Sequence, residues 1–516
     1  MYKLVLSGIF ALAIQCCIAQ NQNVGIGTTT PDASAALDVS STSQGFLPPR
    51  LSSAQRDAMP NKTAGLTIFN TTTGCLEFYN GSYWINLCTS TLSSILQKSL
   101  LGGTDLDQAY AVKQTPDGGF IVGGTTLTNG NGDVPSGNHG ALDCWIIKLD
   151  AGGSIVWNKL YGGSGNEDLA DLITTADGGY SFIATSSSSL NGDVSVSNHG
   201  GNDYWVVKLD ATGNVSWNVL LGGNGDEFAA AIKQNTDGTY IVAGNSASSA
   251  NGNVTDVNHG LTDYWVVKLT SAGAISWNKL LGGNGEEEAY DVQQTSDLGF
   301  IVTGYTTSSA NGNVSGTISG LYDNWVVKLT SAGAISWNKS IGGSGDEFSY
   351  AIKQTSDGGY IFIGNSTSSA SGNITGTNNG GNDYLLVKLT SAGAISWNKL
   401  LGGANDEYPA DVVQTADGGY LMIGTTTSSQ TGNVSQANYG NEDMWLVKVN
   451  SSGTILWNKV IGGAGSDIPQ ALSPVSGGGY IITGYTSSSA SGLVFGTNHG
   501  NNDYWLIRID DNGNIL

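Results

Sequence analysis

Gly-Gly pairs begin at Gly102, Gly162, Gly222, Gly282, Gly342, Gly402 and Gly462, a spacing of 60 residues each time. A chain that repeats itself at a long fixed period folds as repeated supersecondary units, each unable to bury its apolar surface alone and so obliged to pack on its neighbours. Seven units follow one another without insertion or deletion, and the string LTSAGAISWNK recurs unchanged from Leu269, Leu329 and Leu389.

Each unit reads as four short strands. In the first, YAVKQT leads through PDGG into FIVGGTT; a long polar loop follows, then DCWIIKLD, AGGS and IVWNKLYGG. Asp-Gly-Gly between two apolar runs signals a hairpin, because those residues accept the positive φ of tight turns. Four strands repeated seven times predict an all-β, seven-bladed β-propeller; the alternative is an open β-solenoid, which needs capping units. The last copy stops at Leu516, before its Trp-Asn-Lys, while ILQKSLLGG at 95–103 matches ISWNKSIGG in register. The propeller is therefore expected to close on an N-terminal outer strand that completes the seventh unit and removes exposed strand edges.

Residues 1–19 carry a lysine, a short apolar run and small residues before Gln20, the pattern of a secretory signal peptide. The competing reading, a membrane anchor, is weakened by the shortness of the run, so no transmembrane segment is expected after cleavage. Two of the five cysteines leave with it. Cys75 and Cys88 flank a hairpin-like segment and are candidates for a disulfide in an oxidising compartment; Cys144 stands where other repeats carry tyrosine and is expected to be a packed thiol. A formal charge of −22 excludes nucleic acid as a partner, since phosphates demand a basic surface. Cations, glycans and proteins remain.

The unit resembles the bacterial β-propeller repeat found in tandem in secreted proteins, as LGGSGDEFSYAIKQTSDGGYIFIGNSTSS followed by DYLLVKLTSAG shows. The resemblance covers 95–516 and implies fold and secretion; that family has no single activity to carry over. Residues 20–92, with NVGIGTTTPDASAALDVSSTSQGFLPPRL, resemble an N-terminal module of surface and secreted bacterial proteins, similar to segments near tail-fibre and adhesin-like stalks. This predicts a small β-rich attachment or oligomerisation module at 20–92 and a propeller at 93–516, with a homo-oligomer through the former. A plain linker carrying one hairpin is the alternative for 20–92.

Comparing the seven copies column by column isolates candidate sites. One column is always acidic: Asp107, Glu167, Glu227, Glu287, Glu347, Glu407 and Asp467. It precedes the Ala-rich first strand, placed nearest the axis, so the carboxylates are expected to ring one mouth of the channel, where oxygen ligands suit calcium. The alternative pairs each acid with a basic column: Lys148, Lys208, Lys268, Lys328, Lys388, Lys448 and Arg508. A second acidic column, Asp143 and its six equivalents, reads as a loop anchor. The column from Trp145 to Trp505 reads as core.

All four histidines, His139, His199, His259 and His499, share one column of the long loop. With the ring closed they form one arc, either capping loops or offering a pH-sensitive or metal-binding ligand site. No catalytic residue stands out, and no Ser-His-Asp set, metal cluster or phosphate loop is visible. The expected function is a non-enzymatic binding or adhesion protein, secreted or displayed on the cell surface, that holds an extracellular glycan or protein on its loop-rich face. A structural part of an extracellular matrix or appendage, and a polysaccharide hydrolase or lyase working through paired carboxylates, are the alternatives.

Overall fold

The computed structural model describes residues 24–26, 36–41, 43, 45–79, 84–86 and 100–516; the expected signal peptide, Cys88 and the predicted strand residues 95–99 lie outside them. The chain divides into two compact units, Met1–Ser90 and Thr91–Leu516.

In the first unit Val24–Ile26 pairs in parallel with Leu37–Val39. A separate four-stranded sheet joins Arg50–Leu51, Thr67–Asn70, Cys75–Tyr79 and Trp84–Asn86. A short helix, Ser53–Asp57, starts in a capping box between Ser52 and Gln55. The buried Glu77 accepts from Arg56 at 2.9 Å and from Asn70 at 3.0 Å, so its charge is met by cationic and amide donors. Cys75 is disulfide-bonded. Among the described residues no helix is long and apolar enough to cross a membrane.

The second unit is built from seven four-stranded antiparallel sheets, one per repeat, a β-propeller repeat fold. In the second repeat the order is Glu167–Thr174, Tyr180–Ser186, Asp203–Leu209 and Val215–Leu221. The seventh sheet takes its fourth strand from Leu100–Leu101, which pairs with Trp505 and Tyr504. The two middle strands of each sheet are buried along almost their whole length, because both faces pack against neighbouring sheets. Ala109, Val122 and Trp145 of the first repeat share one apolar cluster with Ala471, Ile481 and Tyr504 of the seventh.

Side chains brace these contacts. The phenol of Tyr264 donates to the carbonyl of Trp325 in the next repeat at 3.0 Å, its ring 4.7 Å from that indole. Tyr504 does the same to Trp145 at 3.1 Å, across the seventh and first repeats. Cys144, in this column, is buried with its thiol toward the carbonyl of Glu167, and burial holds that thiol far above the usual range.

Tight turns join first and second strands. Their third turn residue has positive φ and is glycine in most repeats, as at Gly178 and Gly238, but in the fourth it is Leu298 at φ 64°. A β-carbon in this region is strained, and Leu298 is mostly exposed, so little burial offsets the strain. Leu298→Gly is expected to raise the urea midpoint, stabilising the protein by about 0.5–1 kcal/mol; an unchanged or lower midpoint is the contrary result.

Candidate functional site

Every first strand carries a β-bulge. In the first repeat Ala109 faces Gly124 and Ala111 faces Gly123, leaving Tyr110 unpaired; the equivalent residues are Ala170, Ala230, Tyr290, Tyr350, Ala410 and Gln470. Bulges re-aim side chains out of the ladder. Here all seven bulged residues turn into one central cavity of about 550 Å3, which opens at the end of the sheets where the long loops emerge. Its size suits a small ligand or one side chain.

The residue two places before each bulge takes six identities in seven repeats: Gln108, Asp168, Phe228, Glu288, Phe348, Tyr408 and Ile468. Five of these, from Asp168 to Ile468 with Phe348 set aside, line the cup. Asp168 accepts from the Thr125 hydroxyl at 2.9 Å, and burial raises its carboxyl. Glu288 accepts from the phenol of Tyr290 at 3.1 Å. Tyr290 lies 5.4 Å from Tyr350, and Tyr305, Tyr322 and Phe348 continue the aromatic cluster at 4.9–6.2 Å. Sequence reasoning missed this site because it searched for columns that stay the same, whereas the cup is built from the columns that vary.

Deeper along the same strands runs a chain of alternating charges. Lys233 contacts Asp171 and Asp291, and Lys353 contacts Asp291 and Asp411, at 2.5–3.7 Å. Lys113 continues the alternation in the first repeat, but the seventh offers Ala471 and Ser473 in place of Asp and Lys. An odd number of repeats cannot alternate all the way round. Among the described residues Lys113 has no carboxylate within 4.0 Å, and burial pushes its ammonium down.

The acidic column does not ring the mouth. All seven acids are fully buried. In the second repeat Glu167 accepts from the Ser186 hydroxyl at 2.7 Å and the Gly163 amide at 2.6 Å, and the same hydroxyl and amide donors recur from Asp107 to Asp467. Oxygens already facing amide protons make a poor calcium shell, and no group of three or more His, Cys, Asp or Glu in metal-holding geometry occurs among the described residues.

The basic column does not serve these acids either. Lys148 lies 2.9 Å from the turn residue Asp117 and donates to the Leu149 carbonyl at 2.8 Å; Lys208, Lys268, Lys328, Lys388 and Lys448 follow with Asp177, Asp237, Asp297, Asp357 and Asp417. In the seventh repeat Gly477 replaces the turn acid, and among the described residues the Arg508 Nε has no partner.

The second acidic column anchors the long loop. Asp143 Oδ2 accepts from the His139 amide at 2.8 Å and lies 3.2 Å from His139 Nδ1. His199, His259 and His499 sit likewise on Asp203, Asp263 and Asp503, so one nitrogen of each ring is engaged within its own loop. His259 also borders a hollow of about 600 Å3 between the third and fourth repeats.

The other oxygen, Oδ1, is buried without a partner among the described residues in Asp143, Asp203, Asp263, Asp383, Asp443 and Asp503. It faces the acidic column of the next repeat across the first glycine of each Gly-Gly pair. A β-carbon on Gly162 would collide with the carboxylates of both Asp143 and Glu167, which explains the glycine. Burial pushes Asp323, Asp383 and Asp443 up to about 6, and Asp467 lies against Asp443. A proton held between two such carboxyls would supply the missing donor.

Residues 25–99 match the family described as the phage tail like trimerisation region. No curated protein sequence matches the chain. Similar solved structures include BamB from Moraxella catarrhalis, at 14% identity and TM-score 0.36 over 86% of this chain and 94% of that one. A YCF48 bound to D1 peptide is similar at 8% identity and TM-score 0.36 over 75% and 94%. A puromycin hydrolase is similar at 11% identity and TM-score 0.43, over 81% of this chain and 56% of that one. Likenesses at this level leave the site to be read from its own geometry.

Asp291 sits between two lysines, so Asp291→Ala, which leaves Lys233 with Asp171 alone and Lys353 with Asp411 alone, is expected to cost about 2 kcal/mol in chemical unfolding; a loss under a third of that would show the chain of charges to be solvated. The carboxyls held up near 6 give the pH dependence. Their stabilisation is complete below the unfolded value near 3.8 and disappears as pH rises through about 6. The turn acids act elsewhere: Lys148 holds Asp117 down to about 2, so its contribution disappears only on acidification below the unfolded value. The melting temperature is therefore expected to fall between about pH 4 and about pH 6.5, with a smaller fall in Asp443→Asn; a melting temperature that rises over this interval contradicts the shared proton.

Proposed function

We propose that this chain is a secreted or surface-displayed binding protein that trimerises through residues 20–92 and presents three seven-bladed propellers, each ring closed by Leu100–Leu101. Each propeller holds an extracellular glycan or protein on its loop-rich face, at the central cup. The observation that carries this reading is the placement of the varied residues. In seven near-copies, the bulge column and the column two places before it vary, and most of their side chains converge on one cavity, while the Gly-Gly, turn Asp and Lys columns that stay alike are spent on turns, braces and core.

Trimerisation draws support from the family match over 25–99 and from the apolar surface of the first unit. Among its described hydrophobic side chains only Pro48, Ile68 and Cys75 are buried, whereas Ile26 is 56% exposed, and Phe46 and Leu47 are each 69% exposed. A surface of that kind asks for further copies to cover it. Three propellers on one stalk gain avidity for a repetitive ligand without any new contact.

Light scattering on the secreted protein is expected to give three chain masses, falling toward one in a Phe46→Ser, Leu47→Ser double variant whose propeller melts unchanged. A single chain mass in the unaltered protein contradicts the trimer. Both proteins, passed over a panel of polysaccharides and matrix proteins, are scored for retention and for released sugar ends. Retention without release, weakened in the double variant, supports a multivalent binder; release of ends overturns the non-enzymatic reading.

A further inference from the structure

We infer that the cup takes an organic cation, the ammonium of a lysine or amine or the guanidinium of an arginine, seated between its aromatic walls and the carboxylates of Asp168 and Glu288. This deepens, and rests on, the reading of the cup as the binding site. The first ground is charge. Asp168 and Glu288 are the acidic side chains of the lining, and among the described residues no Lys, Arg or His lines the cup with them. The ring of charges beneath adds nothing, since Lys113, Lys233 and Lys353 cancel Asp171, Asp291 and Asp411. Glu286 beside Glu288 adds to the negative field, and the whole chain carries −22.

The second ground is hydrogen-bonding polarity. The Tyr110 phenol donates to Gln108 at 2.9 Å and the Tyr290 phenol to Glu288 at 3.1 Å, so both point their protons at the protein. The lining also includes the amides of Asn245 and Gln470 and the hydroxyls of Thr425, Tyr350 and Tyr408, which both donate and accept, whereas the two carboxylates only accept. A ligand that complements those carboxylates brings donors: three on an ammonium, five on a guanidinium. A neutral sugar brings as many acceptors as donors and leaves the carboxylates uncompensated. The third ground is the wall itself. Tyr110, Phe228, Tyr290, Tyr350 and Tyr408 come from five different repeats and surround the space, and aromatic faces attract cations, most of all where water is thinned.

Two sources share this chemistry: free polyamines, and basic side chains on a protein partner. Titration calorimetry on the full-length secreted protein, with spermidine, N-acetyl-arginine amide, an Ala-Arg-Ala peptide capped at both ends, and cellobiose as the neutral probe, tests the inference. The cationic probes are expected to bind and cellobiose not. Affinity should drop about tenfold or more in Asp168→Asn and in Glu288→Gln, the loss of one charged hydrogen bond, and again in Tyr290→Leu, while Asp510→Asn on a distant outer turn changes nothing. Rising salt should weaken binding. Tighter binding of the capped peptide than of spermidine assigns the site to a protein's basic side chain, and the reverse order assigns it to free amines.

Absence of cation binding in a folded protein, or equal binding by the Asp168→Asn, Glu288→Gln double variant, overturns the inference. If the panel above still retains the protein in that case, the binding reading stands and only the ligand class falls.

Discussion

Each sheet of the repeat region is apolar on both of its faces, and that single property governs the rest. Middle strands such as Asp203–Leu209 are buried throughout, so a sheet at the end of an open row would expose half of its core. The cost scales with the area uncovered, at about 25 cal/mol for each Å2. A row of such sheets is stable when its first and last members cover each other, as the shared cluster of Ala109, Trp145, Ile481 and Tyr504 does here. The Tyr-to-carbonyl braces, the glycines that admit paired carboxylates, and the turn lysines all serve this packing of sheet on sheet.

The bulge is what turns packing into a site. Without it, the residues of the first strands would alternate between neighbouring sheets, and the axis would be lined by backbone and methyl groups. With one extra residue per strand, seven side chains are released from the ladder into a common space. Their identities are then free of the demands of the core, which is why Tyr, Ala and Gln occupy one structural position in repeats otherwise nearly identical.

The period, the four strands and the turn chemistry were legible because each is written in local sequence: Asp-Gly-Gly turns, alternating apolar strands, a fixed spacing. Partners between columns were harder. Both Lys148 and Asp107 belong to columns that never lose their charge sign, which invites pairing them, yet antiparallel register places Lys148 opposite Ile121 near the turn, and Asp107 opposite Thr126 at the far end. Counting the register would have found Asp117 instead, and the seventh repeat already held a hint, since it changes the turn acid to Gly477 and the lysine to Arg508 together. The cup lay beyond such counting. A bulge leaves no mark in the pattern of a strand whose small residues suit either face.

One further brace is unevenly distributed. A glutamine near the end of the first strand accepts from the turn amide of the preceding repeat: Gln234 from Ala176, Gln294 from Thr236, Gln354 from Ser296, Gln414 from Ser356 and Gln114 from Ser476. At the first turn the amide is missing, because the residue is Pro116, and the partner column holds Thr174; between the sixth and seventh repeats the acceptor is missing, because Pro474 stands in its place. The two gaps isolate the seventh and first repeats as a pair, the same pair that the N-terminal strand stitches together. The seven sheets thus group into a five-sheet run and a two-sheet clasp separated by two looser seams, and the seams are where breathing of the native state costs least.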